Sequence, residues 1–576
     1  MHIVTVIPLS RGISKDVLTY FSKELVTPGS IVTIPVRKKT VYGLVVGIRD
    51  ATEIKSDLKT LSYNIKKIST VHTHSFLLDS FIRAIHKIAN YHASSVGSTL
   101  SAYIPNAILE QSDQLEKISN TETPPSFYET VLLQSTDEER YATYKSLVRE
   151  EFARGKSVFF CLPTTEDLKN AHAVLEKGIE KYAYVLHARL SKKEIISIWN
   201  TLITEPHPVH IIATSSFLSI PRTDISTLII EKESSRSYKM QVRPFIDIRT
   251  SATYIAKEMN RRLVFGDTLL RTETLWEHKN GTYAELSPLK FRSLTTATCT
   301  LVPLRQPEDQ VKKKFALFST ELMHTLEHAK EHNEHVFLFC GRKGLYPHTV
   351  CSDCGTVVTC KNCNAPVVLY SKKKGDVMDN LFVCHHCGER RNAQELCVHC
   401  GGWRLQTLGI GIDAVVKEIE TLFPQIHIYA MDKERVTTHP QAVKIRDTFY
   451  AHPGSVMVGT EMALPYLNQK IAHTAVVSLD SFFSIPDFRI HEKIFHILLH
   501  LRSVSEKQML VQTRQVNTKI FDYALRGNLA DFYRDEIDER KQVGYPPFVT
   551  YIKLTIEGEK QTVKKQMTEI ATALHP

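Results

Sequence analysis

The residues with the plainest chemistry are cysteines. Eleven occur in the 576-residue chain, and eight of them fall in four C-x-x-C pairs, within 351-CSDCGTVVTCKNC-363, 384-CHHC-387 and 397-CVHC-400. Each pair can present two thiolates on one side of a tetrahedron, so Cys351, Cys354, Cys360, Cys363, Cys384, Cys387, Cys397 and Cys400 predict two four-sulfur zinc sites. Four sulfurs leave no open position for water or substrate, which makes both zinc ions structural. Spacing alone permits either nested or sequential pairing. The neighbouring His385, His386 and His399 read as solvated, and Cys161, Cys299 and Cys340, alone in apolar or β-rich runs, read as small buried hydrophobes.

The elements around this knot are those of parallel α/β sheets. Short apolar runs, SVFFCLP (157–163), YVLHA (184–188), VHIIATSS (209–216), TLIIEKE (227–233) and RLVFGD (262–267), alternate with helical patterns before it. After it come LQTLGIG, IHIYAMD, SVMVGTE and TAVVSLDS, with Ile412, Val415, Val416, Ile419, Leu422 and Phe423 at helical spacing. The first hundred residues instead predict a small β-rich domain in which two strands meet at a basic tip, Arg37, Lys38 and Lys39, and 78–94 reads as a helix. Residues 111–126 are polar and proline-bearing, as in a linker. A strand (VTYIKLTIEG) and a helix (KQTVKKQMTEIATALH) are expected after 548.

The formal charge of +10 falls to about +6 if eight thiolates hold two zinc ions, leaving moderate room for an acidic partner such as DNA. Neither a secretory n-region nor a run of ~18 apolar residues is present. The expected place is the cytoplasm, near the nucleoid.

The cysteine block, flanked by GRKGLYPHTVCSDCG and LGIGIDAVVKEIETLFP, resembles the PriA family of replication-restart helicases (primosomal protein N′). So do 485-IPDFRIHEKIF-495, 532-FYRDEIDERKQVGYPPF-548, PGSIVTIPV and VYGLVVG. The resemblance implies a fold of a β-rich DNA-binding domain, two RecA-like helicase lobes with the zinc module inserted in the second, and a short α+β C-terminal domain. It divides the chain into a 3′-DNA-binding-like domain (1–104), a linker with no winged helix (105–126), lobe 1 (127–305), lobe 2 (306–347 and 404–515), the zinc module (348–403) and the C-terminal domain (516–576). It also implies nested zinc pairing, with Cys351, Cys354, Cys397 and Cys400 on one ion and Cys360, Cys363, Cys384 and Cys387 on the other.

Where that family has a glycine-rich P-loop, this chain has 131-VLLQSTDEERYATY-144, without glycine or lysine. Arg140 stands near the lysine position, Tyr141 replaces the magnesium-binding hydroxyl, and Asp137, Glu138 and Glu139 put negative charge where phosphates would lie. The Walker-like 155-GKS-157 follows a helix instead of a strand, so Gly155 reads as a helix C-cap. The DEEH box reads 231-EKES-234, with Glu231 still able to hold a metal and Lys232 in the catalytic carboxylate's place. The coupling motif reads GDTLLR (266–271), and the arginine motif reads 500-HLRSVSEK-507, with Val504 and Lys507 at the arginine positions.

The reading is a restart protein that binds forked or single-stranded DNA and acts as a primosome scaffold without helicase activity, with two zinc ions and no ATP or Mg²⁺. Arg37, Lys38, Lys39 and Lys59 are the candidate DNA contacts, and Lys361, Lys372, Lys373, Lys374, Arg390 and Arg391 are further basic residues near the knot. Leu18 and Thr19 stand where the family's 3′-end pocket has Phe and Asp, and Arg37 where it has Gly. By resemblance the partners are single-stranded DNA-binding protein and other primosome proteins, reached through Tyr91 and the region after YPPF; the chain is expected to be a monomer away from membranes. An active 3′–5′ helicase with a divergent nucleotide site and a zinc-dependent protein–protein module are the two alternatives.

Overall fold

The structure, a computed structural model, describes all residues except 1, 11, 14, 51–64, 73–75, 117–126, 305–316, 342–347, 352, 355, 363–364, 375–376, 385–386, 394, 409–410, 486 and 575–576. Lys59 and Cys363 therefore lie outside the described residues. No helix among the described residues is long and apolar enough to cross a membrane.

An antiparallel sheet opens the chain, with strands β1 (His2–Pro8), β2 (Leu18–Ser22), β3 (Ile31–Val36), β4 (Lys39–Asp50), β5 (Lys66–Lys67) and β6 (Thr70–Val71) in the order β5-β2-β1-β4-β3-β6. The helix Asp79–Tyr91 lies where its periodicity predicts it, with Phe81, Ala84, Ile85 and Ile88 buried. The segment read as the start of a linker is packed instead. Ala107, Ile108, Leu109 and Leu115 are buried, and Asn200 bonds Gln114 O and Glu116 N across to the next domain.

Lobe 1 is a parallel sheet of β7 (Glu129–Gln134), β8 (Ser157–Cys161), β9 (Ala183–Leu186), β10 (His210–Ala213), β11 (Ile225–Glu231), β12 (Arg262–Asp267) and β13 (Ala284–Glu285), ordered β13-β7-β12-β11-β8-β10-β9. Strands such as VFFC and LIIE are apolar throughout because helices cover both faces of a parallel sheet. Lobe 2 has β14 (Thr298–Pro303) and β15 (Val336–Cys340) before the cysteine module. The module contributes β16 (His348–Cys351), β17 (Val368–Lys374), β18 (Val377–Val383), β19 (Arg390–Asn392) and β20 (Leu405–Leu408). Beyond it, β21 (Ile428–Met431), β22 (Val456–Gly459), β23 (Ile471–Ser478) and β24 (Ser505–Thr513) complete the parallel order β14-β24-β23-β15-β22-β21.

These sheets are the two RecA-like lobes implied by the resemblance. One continuous core joins all three units, running from Phe81 and Tyr103 through Phe159 and Trp199 to Phe337 and Phe495.

The expected C-terminal strand does not form. Residues 549–558 carry no strand, and Ile552 is 80% exposed. Alternating apolar residues supply a strand's pattern but not its ladder, which needs a neighbour, and none pairs with this segment among the described residues.

His491, on the helix Ile490–Val504, faces the helix Leu529–Val543 with its Nδ1 3.6 Å from carboxylate oxygens of both Glu536 and Glu539. Burial opposes the charged ring, but the two carboxylates outweigh it and push the pKa up to about 10. A raised histidine pKa contributes stability that is complete below the unfolded value of ~6.5 and is lost as pH climbs through the folded one. Between pH ~6.5 and about 10 the melting temperature should therefore fall more steeply in the native protein than in His491→Gln; parallel thermal-denaturation profiles would contradict this.

Candidate nucleotide site and cysteine centres

In a parallel sheet, chemistry collects at the carboxyl ends of the strands. Here β7, β11 and β12 bring Gln134, Glu231 and Asp267 to that edge. Only Ser135 and Thr136 separate β7 from the helix Asp137–Ala153. Two residues cannot form the wide loop of backbone amides that surrounds a phosphate. The helix start is already satisfied, because Thr136 and Glu139 form a reciprocal capping box.

Arg140 then turns inward. Its Nη2 donates to Glu231 Oε1 at 2.6 Å and to Asp137 at 2.8 Å, Nε donates to Glu231 at 3.1 Å, and Nη1 donates to Ser135 O at 2.6 Å and to Thr268 at 2.9 Å. Tyr144 Oη donates to the other Glu231 oxygen at 2.6 Å. Burial pushes the Glu231 carboxyl up and the guanidinium pulls it back, while Arg140 itself is held well above its ordinary value by Glu231 and Asp137, which outweigh its own burial.

Gly266 makes this closure possible: a Cβ there would lie 1.7 Å from Tyr144 Oη and 2.7 Å from Glu231 Oε2. The expectation that Glu231 could hold a metal is corrected. Its side chain is fully buried and both oxygens accept bonds from Arg140 or Tyr144.

Lys232 sits in left-handed backbone at φ 55° and its Nζ bonds Asp167 at 2.5 Å, so the position is occupied by a paired ammonium. Glu233, also buried, accepts from the Arg271 and Thr274 side chains at 2.8 Å each. Lys290 pairs with Glu139, and Arg502 donates to Ser293 O at 2.7 Å. Gly155, at φ 69°, follows the helix end as a cap should.

Sequence reasoning missed Tyr144 and Asp167. Tyr144 had a signal, lying one helical turn beyond Arg140 on the same face, whereas Asp167 had none.

Opposite lobe 1, Arg446 bonds Glu166 at 2.7 Å, Arg236 bonds Asp487 at 2.8 Å, and Glu492 accepts from Thr272 N at 2.6 Å. Between the lobes lies a cleft of about 2570 Å³ whose lining mixes basic residues such as Arg189, Lys239 and Arg243 with acidic ones such as Asp267, Glu434 and Glu461.

In the cysteine module, pairing of β16 with β20 brings the two ends of the insertion together. That pairing sets Cys351 and Cys354 beside Cys397 and Cys400, with sulfur–sulfur distances of 3.6 Å for Cys351–Cys400 and for Cys354–Cys397. Cys360, Cys384 and Cys387 form the second cluster, with Cys360–Cys387 at 3.5 Å. Both clusters have the nested arrangement. A disulfide would need ~2.05 Å, whereas a tetrahedron with Zn–S bonds of ~2.3 Å has edges of ~3.8 Å. The donor sets fit zinc.

Of the basic residues near the knot, Lys361 pairs with Glu395, and Arg391 is held by Glu389, Glu395 and Thr359 O over the Phe382 ring. These two brace the module. Arg37, Lys38 and Lys39 are exposed at the two-residue β3–β4 turn, with Arg37 at φ 52°.

Comparison with known proteins agrees with this anatomy. Residues 5–105 match the 3′DNA-binding domain (3′BD) family of PriA proteins. The replication restart protein PriA of Treponema pallidum (strain Nichols) is 26% identical over 432 residues, covering 73% of this chain and 63% of that protein. That of Helicobacter pylori (strain J99) is 23% identical over 568 residues, covering 96% and 86%. The chain spans about three fifths of the length of the first curated relatives it matches. Among solved structures, RecG bound to a three-way DNA junction aligns at TM-score 0.40 and 10% identity over 88% of this chain and 51% of that one, too loosely to add to the sheet order. The chain is thus similar over most of its length to the PriA replication restart proteins, and its residues 5–105 match their 3′DNA-binding domain.

Proposed function

We propose that the chain binds forked or single-stranded DNA and serves as a scaffold for primosome assembly without acting as a helicase. The observation that carries the second half is the Arg140–Glu231 pair. It fills the phosphate position with a satisfied guanidinium and takes the carboxylate that stands at the family's magnesium-linked position. Lys232, bonded to Asp167, offers no carboxylate to activate water. The ion pairs across the cleft favour one closed arrangement over the opening and closing a motor needs.

DNA contact is assigned to Arg37, Lys38 and Lys39, and by resemblance to Lys59. Each zinc ion would be a closed brace: Cys351, Cys354, Cys397 and Cys400 on one, and Cys360, Cys363, Cys384 and Cys387 on the other. The domain boundaries proposed are 1–104, 127–305, 306–347 with 404–515, 348–403 and 516–576, with 105–126 connecting the first two.

Neutralising the hairpin tip tests the DNA assignment. A triple variant, Arg37→Ala with Lys38→Ala and Lys39→Ala, should weaken binding to forked DNA and flatten the plot of log K against log salt by about 2–3 units, at ~0.9 per lost phosphate contact. An unchanged slope would move the contact elsewhere.

A second reading, protein docking through the zinc module, draws on Leu396, Val398 and Trp403, exposed by 63%, 96% and 76% beside the first cysteine cluster. Fork affinity that falls with added salt separates the two, since docking alone predicts none.

A further inference from the structure

At the foot of the lobe 2 sheet, on the edge away from the cleft, three strands and a helix end converge. His328 lies in the last turn of the helix Thr320–Glu331, Glu334 follows in the loop leading to β15, and β15 pairs with β23 so that Val336 is level with His473. Glu334 Oε2 is 2.6 Å from His473 Nε2 and 3.7 Å from His328 Nδ1, and the three donor atoms lie within 4.8 Å of one another.

We propose that His328, Glu334 and His473 bind one divalent transition ion of the zinc class, separate from the cysteine centres. Two imidazoles and one carboxylate suit borderline ions such as zinc, cobalt or nickel and not magnesium or calcium, which need more oxygen donors. A tetrahedral ion with bonds of ~2.0–2.1 Å sets its donors ~3.3 Å apart. His328 is already near that spacing from Glu334, and the His473–Glu334 pair must open by about 0.7 Å.

The surroundings support the site. The His332 ring stacks on His328 at 4.0 Å and fixes its plane. His473 Nδ1 is buried with no hydrogen-bond partner among the described residues, and Nε2 faces Glu334 Oε2, so an ion bound between them takes the place of the Nε2 hydrogen bond. Glu334 uses its other oxygen, Oε1, to hold Lys507 on β24, leaving Oε2 for the ion. His328 is half exposed, so an ion can enter from solvent. Bound there, the ion would pin the helix end to the feet of β15 and β23.

Lys507 distinguishes this site from an ordinary ion-pair network, because its ammonium competes with the ion for the charge on Glu334. The protein holding two equivalents of zinc, enough for the cysteine centres alone, is titrated with Co²⁺, and the total bound metal is counted after gel filtration. Thiolate charge-transfer bands report any exchange into the cysteine centres.

The wild type should bind one equivalent more than His328→Ala, with no thiolate bands from that equivalent. Glu334→Gln should lose it as well, and Lys507→Ala should bind it about tenfold more tightly. His328 is on the surface, so His328→Ala should melt as the wild type does. Equal stoichiometry in wild type and His328→Ala, or no gain in affinity in Lys507→Ala, overturns the proposal.

Discussion

Replacing Glu231 with alanine is expected to cost the folded protein about 3–5 kcal/mol, the penalty for leaving a buried guanidinium without its partner. Arg140 is 1% and Glu231 0% exposed as side chains, so water cannot take over the lost bonds. Tyr144 Oη loses its acceptor in the same substitution. The double variant Arg140→Met with Glu231→Leu removes both charges and should recover most of that loss, because a well-packed apolar pair can match a buried ion pair.

Chemical denaturation of the wild type, the single and the double variant measures all three. A functional nucleotide site would give the opposite pattern, in which losing Glu231 leaves stability nearly unchanged and abolishes turnover. Gly266→Ala, which drives a Cβ into Tyr144 and Glu231, should destabilise the same closure.

Stripping the metal should have an effect at least as large, confined to one module. The buried apolar clusters there consist of Cys360, Val367, Phe382 and Cys384 on one side and Cys351, Cys354 and Cys397 on the other. So little apolar area cannot offset the ordering of more than fifty residues (348–403). Zinc binding to such sites supplies about 10–16 kcal/mol in apparent terms. A strong chelator should therefore make 348–403 rapidly cleavable by protease while the two lobes stay resistant, and zinc should restore protection. Protection that survives complete metal removal, verified by elemental analysis, would show that the module holds itself together.

Much of this could be read from the chain, for reasons that differ by feature. The cysteines identify themselves, because few roles other than metal binding use thiol pairs at such regular intervals. Their nested pairing could not be read from spacing, since it depends on β16 meeting β20 across the insertion. The strands SVFFC and RLVFGD were legible because burial on both faces demands unbroken apolar runs.

The departure from the family's nucleotide motifs was visible as missing residue types, but the buried pair at that position was not. Its contacts join Arg140 and Tyr144 to Glu231, positions far apart in the chain that only the closed sheet brings together. Asp167 meets Lys232 in the same way. Residues 549–558 misled because alternation reports a side-chain pattern, while a strand exists only where a neighbour accepts its hydrogen bonds.

The central claim is that DNA binding persists on a framework whose motor site has been filled. The most direct measurement is one titration of the zinc-loaded protein with forked DNA, following anisotropy and phosphate release in the same samples. The account predicts saturable, salt-sensitive binding with phosphate release no faster than in a protein-free blank. DNA-stimulated phosphate release that disappears in Lys232→Ala or Arg140→Ala, but not in the blank, would contradict it.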